Sequence, residues 1–268
     1  MLRKFGLFLV VTSVALSPVF ADTLKDEHSD RLPMPRQVVD LGALITEKTP
    51  ETFWGAETLK RYGFEKSNRI ETIHRNAPTY VANSYYTLFN HGGPHIDAPN
   101  HTERDAGGVD TYPLSRFYGP AKVFNFSTKP QGSKLTVGDF KSQNIQSGDV
   151  VLIYTAYQPP QGNDKLTVTS LSEAAAEFLA SKNIAAFGTD ALSVEHLDEL
   201  ERRVTSGETG YKALLPVHYS LLTAGIATYE QLVNIDQLIG KKQVLFIGLP
   251  LNIKDGNGVP VRPVAFIY

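Results

Sequence analysis

The sequence predicts a β-rich α/β domain. Short apolar runs rich in Val, Ile, Phe and Tyr recur along it, most of them bounded by turn residues, which is the mark of strands. Convincing helix signals are few, and no internal repeat or linker divides residues 38–268.

In order, the strand readings are VVDL (38–41), YVANSYYTLF (80–89), AKVFNF (121–126), DVVLIYT (149–155), IAAFG (184–188), QVLFIGL (243–249) and PVAFIY (263–268). Ser170-Leu171-Ser172-Glu173 reads as a capping box opening the Ala-rich helix EAAAEFLASKN. Pro216 in a first-turn position opens a second helix that runs to Thr223 and stops at Gly225. LDELERRV (197–204) is a third.

Ahead of the domain, Arg3 and Lys4 form a basic n-region, FGLFLVVTSVAL (5–16) an apolar core, and Val19-Phe20-Ala21 a small-residue cleavage pattern. Residues 1–21 are therefore expected to be a secretory signal peptide. The apolar run is shorter than the roughly twenty residues that span a bilayer. The expectation is a periplasmic or secreted protein with no membrane attachment after cleavage. Residues 22–37, polar and punctuated by Pro33 and Pro35, read as a flexible leader.

Charge and composition narrow the chemistry. Losing Arg3 and Lys4 with the signal takes the formal net charge from −2 to about −4, and no basic block is present, so no nucleic-acid partner is expected. There is no cysteine, which removes disulfides, thiolate ligands and a cysteine nucleophile. No GxSxG elbow occurs either, so an acyl-enzyme route is disfavoured.

One stretch concentrates metal-capable side chains. HGGPHIDAPNH (91–101) holds three of the seven histidines together with Asp97. A fully extended strand would spread its ends over roughly 33 Å, too far for the ~2 Å bonds of a shared ion. A helix is opposed by Gly92, Gly93 and Pro94. A compact loop is the remaining reading, in which the glycines permit positive φ and Pro94 and Pro99 fix the chain direction around Asp97. Further donors must come from elsewhere. His218 with Glu230 is one pair, and Asp190, Ser193, Glu195 and His196 in FGTDALSVEH are a second group; from the residues alone the two rank equally.

These residues carry a resemblance. The chain resembles the cyclase family that includes bacterial kynurenine formamidases and isatin hydrolases, whose signature His-x-Gly-Thr-His-x-Asp-x-Pro-x-His is matched by His91, Gly93, His95, Asp97, Pro99 and His101. The likeness continues through GGVDTYPLSRFYGPAKVFNF, GDVVLIYTAY, FGTDALSV, VHYSLLTAGIATYEQL and GVPVRPVAFI. One departure is Pro94, where the family has threonine; it removes a hydroxyl and a backbone N–H from the loop.

The resemblance implies a swivelling β/β/α domain of the cyclase-like metal hydrolases, assembled as a homodimer or homotetramer. It implies zinc, as two ions: His91, His95 and Asp97 would hold one, and Asp97 would bridge to a second held by His218 and Glu230. One ion, or manganese, is the isatin-hydrolase variant of the same site. His101 would be the general acid/base. The implied activity is hydrolysis of a C–N bond in a small aromatic amide, an N-formyl aryl amine or an isatin-like cyclic amide. Lactonase or dehydrating-cyclase activity on the same site is one alternative, and non-catalytic metal-dependent ligand binding is another. Trp54 and Phe53 in PETFWG, and Tyr86 with Tyr85 and Phe89 before the loop, are expected to wall a planar substrate.

Overall fold

All seven apolar runs form strands in the computed structural model, which describes residues 33–64, 68–75, 81–161, 164 and 166–268. The signal pattern over 1–21 and the leader up to residue 32 lie outside the described residues. In chain order the strands are β1 (Gln37–Asp40), β2 (Arg69–Arg75), β3 (Val81–Thr87), β4 (His95–Asp97), β5 (Tyr118–Asn125), β6 (Lys134–Leu135), β7 (Val150–Tyr154), β8 (Ser170–Leu171), β9 (Ala186–Thr189), β10 (Ala227–Glu230), β11 (Val244–Ile247), β12 (Gly258–Pro260) and β13 (Val264–Ile267). The helices are α1 (Thr49–Trp54), α2 (Ala56–Arg61), α3 (Val137–Phe140), α4 (Glu173–Ser181), α5 (Leu197–Thr205), α6 (Tyr211–Leu214) and α7 (Pro216–Thr223). The last residue of the expected leader, Gln37, is already in β1, paired with Ile267.

Nine strands make the main sheet, in the order β1-β13-β11-β5-β7-β9-β10-β4-β12. Its centre, β5-β7-β9-β10, is parallel, and both flanks are antiparallel. Parallel strands are buried on both faces, which explains the unbroken apolar run of β7. Val150 and Leu152 enter one core cluster, whereas Val151 and Ile153 enter the other.

The sheet must curl. Lying flat, β12 and β13 would stand roughly 34 Å apart, seven strand spacings. Only Val261, Arg262 and Pro263 join them, a link that reaches about 14 Å at most. The ends of the sheet are tied accordingly. Arg262 donates to Asp40 through Nε (2.9 Å) and an Nη (2.7 Å), and Val233, just past β10, donates its N–H to the Leu41 carbonyl at 3.0 Å. The result is a half-barrel whose interior is filled from both ends by Val39, Ile96, Leu152, Tyr229, Phe246 and Val259. The outer face is covered by α4 and α7, which bring Leu179 and Leu221 against Val151, Ile153 and Phe187.

The structure departs from the sequence expectation at a helix start and within the histidine motif. The helix over 173–181 forms, but its cap is Ser172, which accepts from the Ala175 amide at 3.2 Å; Ser170 lies two residues earlier, buried in β8. The motif is also not loop throughout, because His95–Asp97 is β4, hydrogen-bonded between β10 and β12. α7 starts at Pro216 as expected and is followed by Gly225 at φ +70°.

Candidate metal centre

β4 is three residues long, so His95 and Asp97 project from the same face of the sheet. The chain then uses its turns to add the flanking histidines. Gly93 sits at φ +108°, and a Cβ on Gly92 would lie 2.8 Å from Phe89 and 2.9 Å from Pro50, so both positions exclude larger residues. A 3-10 turn, Pro99–His101, folds His101 back. The His91 ring centroid lies 4.8 Å from that of His95 and 4.4 Å from that of His101. His218 comes from the first turns of α7 and Glu230 from the end of β10, next to β4 in the sheet.

Asp97, fully buried, is the hub. Its Oδ1 lies 3.0 Å from His91 Nδ1 and 3.2 Å from His95 Nε2, and its Oδ2 lies 3.7 Å from His218 Nε2. Glu230 faces it, with Oε1 3.1 Å from His218 Nε2 and Oε2 3.6 Å from His95 Nε2. Among the described residues, donor atoms within 4.8 Å of one another form two groups that share Asp97: His91 with His101, and His95 with Glu230. His95 thus stands on the Glu230 side of the hub.

The fit to a divalent cation rests on atoms that the protein leaves without partners. His95 Nε2 and both carboxylate oxygens of Asp97 are buried and make no hydrogen bond. An unpartnered buried carboxylate is costly unless a cation satisfies it. His95 is also oriented for the task, since its Nδ1 donates to the Gly93 carbonyl at 2.8 Å, leaving the Nε2 lone pair aimed at the hub. Oxygen and imidazole donors without thiolate suit zinc or manganese.

The electrostatics agree. Burial opposes charge on His95 and His218, yet Asp97 raises the His95 pKa and the Glu195 and Glu230 carboxylates raise that of His218 well above the ordinary value. Burial would lift the Asp97 pKa, but the surrounding imidazoles hold it well below the usual carboxylate range. His101 is the exception: burial, and repulsion from His91, His218 and His95 against the pull of Asp97, push its pKa down to about 3.

The second group of candidates goes elsewhere. Asp190 accepts from the Thr155 amide and hydroxyl (2.8 Å each) and the Tyr157 amide (3.1 Å), tying β9 to the end of β7. His196 Nε2 donates to the Gly132 carbonyl at 3.0 Å. Ser193 Oγ accepts from the Glu195 amide at 3.1 Å, and Glu195 itself lies behind His218, 3.2 Å from Nδ1.

The aromatic candidates divide as well. Trp54 gives its indole N–H to the His91 carbonyl at 2.9 Å, so it braces the motif. Phe53 packs near Gly93, and its carbonyl accepts from the Tyr157 hydroxyl at 3.2 Å. Tyr85 and Tyr86 stand exposed on β3. Two positions escaped the sequence reading. Phe64 joins Trp54 and Phe89 in a chain of ring contacts that ends 6.2 Å from His91. Gln231, buried and held at φ +60°, accepts from the Gly93 amide (2.8 Å) and donates to the His91 carbonyl (3.0 Å). Its place directly after Glu230 was the signal for it.

A curled mixed sheet thus carries a buried His/Asp/Glu cluster that could hold a metal ion, and the proteins it resembles are hydrolases. The chain belongs to the cyclase family: the family model described as "Putative cyclase" matches residues 38–196. A kynurenine formamidase of Salinibacter ruber is 31% identical over 178 residues, which are 66% of this chain and 76% of the relative. A solved structure described as a potential metal-dependent hydrolase with cyclase activity superposes with a TM-score of 0.61 at 25% identity, over 87% of this chain and 98% of its own. An isatin hydrolase bound to the product analogue thioisatinate shares the fold, with a TM-score of 0.69 at 22% identity over 86% and 92% of the two chains.

Proposed function

We propose that the protein hydrolyses the C–N bond of a small aromatic amide, either an N-formyl aryl amine or an isatin-like cyclic amide, using a divalent metal ion. The observation that carries this reading is the convergence of buried, unpartnered donor atoms of His95 and Asp97. The amide specificity is supported by the kynurenine formamidase relative. His91, His95, Asp97, His218 and Glu230 would hold zinc or manganese, with Asp97 positioned to serve two ions. When bound, a divalent ion supplies Lewis acidity that activates water and polarises a carbonyl near neutral pH.

His101 completes the set. Its ring stands 4.4 Å from that of His91 and 5.5 Å from that of His218, beside the donors. An imidazole there takes a proton from water and returns it to the departing nitrogen. The Phe64–Phe89 pair next to His91 offers a planar substrate an apolar wall.

The proposal extends to assembly and location. The β2–β3 hairpin exposes Ile70, Ile73, Val81, Tyr85 and Tyr86, and a two-stranded hairpin is marginal in water. Contact with a second copy in a homodimer or homotetramer gives it cover. Residues 1–21 would direct export and be removed after Ala21, which mass spectrometry of the exported chain reads directly.

The activity is tested by loading purified protein with Zn2+ or Mn2+ and assaying N-formylkynurenine and isatin. Turnover of either supports the reading. Turnover of lactones alone moves the protein to the lactonase class, and binding of aryl ligands with no turnover makes it a binding protein.

A further inference from the structure

We propose that Glu195 is a positioning residue for His218, holding the imidazole and the helix that carries it with one carboxylate. The inference rests on His218 being a metal ligand, as read above.

α7 begins without a side-chain cap of its own. Its N-cap position is Leu215, which has no side-chain acceptor for the first-turn amides that lack a partner within the helix. Pro216 has no N–H, so the Val217 and His218 amides are the first that need an acceptor. Glu195 supplies it from the segment between β9 and α5. Its Oε2 lies 3.2 Å from both the Val217 and the His218 amide nitrogens, and its Oε1 lies 3.4 Å from that of Val217.

The same Oε2 stands 3.2 Å from His218 Nδ1. An ionised carboxylate only accepts, so this contact keeps a hydrogen on Nδ1 and leaves Nε2 as the ring atom free to ligate. Nε2 is the atom that faces Glu230 Oε1 at 3.1 Å and Asp97 Oδ2 at 3.7 Å. Ring and backbone are thereby locked to one anchor, and the ring cannot turn without giving up that bond. Glu195 is itself 2% exposed, and its charge is balanced by Arg203, whose guanidinium lies 3.6 Å from Oε1. Arg203 is fixed in turn by Glu199 at 3.3 Å and by the Leu214 carbonyl at 3.3 Å. A carboxylate behind a ligating histidine fixes its tautomer and raises its basicity.

A cap alone would not need the charge, because a glutamine oxygen also accepts backbone N–H bonds. Zn2+ affinity of the full chain, measured by chelator competition, separates the two roles. Wild type, Glu195→Gln, Glu195→Asp, His218→Ala and the Gln/Ala double variant are compared, with the melting temperature of each metal-free protein recorded alongside. Glu195→Gln is expected to weaken Zn2+ binding by about 10- to 100-fold, while the metal-free melting temperature stays within a few degrees of wild type. Glu195→Asp recovers part of the affinity, and Glu195→Gln adds less than about threefold once His218 is alanine. Wild-type Zn2+ affinity in Glu195→Gln, or an equal loss with and without His218, overturns the proposal. Unchanged affinity in His218→Ala overturns the ligand reading and takes this proposal with it, so the two failures are distinct.

Discussion

The ring of His91 lies against the backbone of Gly258, so closely that a Cβ on that glycine would fall 2.4 Å from the imidazole Cε1. Gly258 opens β12 in register with Asp97, which puts a bare backbone where the motif folds over the sheet. Gly258→Ala is expected to displace His91 and reduce metal affinity and turnover by at least about tenfold, the equivalent of ~1.4 kcal/mol. The fold should survive, since β12 keeps its backbone bonds. Metal analysis beside a thermal melt checks this; a variant with full affinity and turnover rules the contact out as a constraint.

His95 and His101 are expected to fail in different ways. His95→Ala removes a buried donor that faces both Asp97 and Glu230, and the purified variant should contain little metal. His101→Ala should keep its metal and lose about 10²- to 10⁴-fold in turnover, the usual worth of a placed proton-transfer group. If His101→Ala lost its metal instead, His101 would be a ligand in the group it forms with His91 and Asp97.

Metal affinity should rise with pH. Against the opposing effect of burial, the neighbouring carboxylates raise the pKa values of His95 and His218 in the metal-free protein, so an arriving cation must displace protons from these rings at higher pH than from free imidazole. Each proton displaced gives about a tenfold gain in apparent affinity per pH unit, levelling off above the raised values. Zn2+ titrations at pH 6, 7 and 8 would falsify this if they superimposed.

Ser172 and Ser170 separate cap from neighbour. Ser172→Ala removes the acceptor of the Ala175 amide at the start of α4 and should cost about 1 kcal/mol in urea unfolding. Ser170 Oγ is buried without a hydrogen-bond partner, so Ser170→Ala should be neutral or slightly stabilising. The reverse ranking would restore the capping box read from the sequence.

Sequence periodicity revealed the strands that are rich in branched and aromatic residues, because such runs have few other places to go. It missed β4 for a physical reason. Three residues, His-Ile-Asp, show no alternation, and the flanking Gly and Pro argue for a turn; only pairing with β10 and β12, strands from far along the chain, makes them a strand. The capping-box reading failed because Ser170 and Ser172 both precede the helix, and the pairing of β8 with β6 decides between them. His218 and Glu230 tied with Asp190, Ser193, Glu195 and His196 on residue chemistry alone. The family likeness broke that tie, and the fold shows why local sequence does not: Asp190 is half-buried and Glu195 buried, but the amides around them decide what each one holds. The aromatic cluster beside the motif was only partly legible, since Trp54 turned its polar edge to the motif and Phe64, outside any pattern, took a place beside Phe89.

The short link that closes the half-barrel also orders events in the life of the chain. Asn90, beside the motif, is hydrogen-bonded to Asn257 across 167 residues of sequence. Contacts that distant form late and slowly, after the entropy of a long closure has been met. A nascent chain stopped partway carries the whole histidine motif but lacks His218, Glu230 and the strands that flank β4. Any ion these donors hold would therefore be selected by the finished sheet rather than by the motif alone.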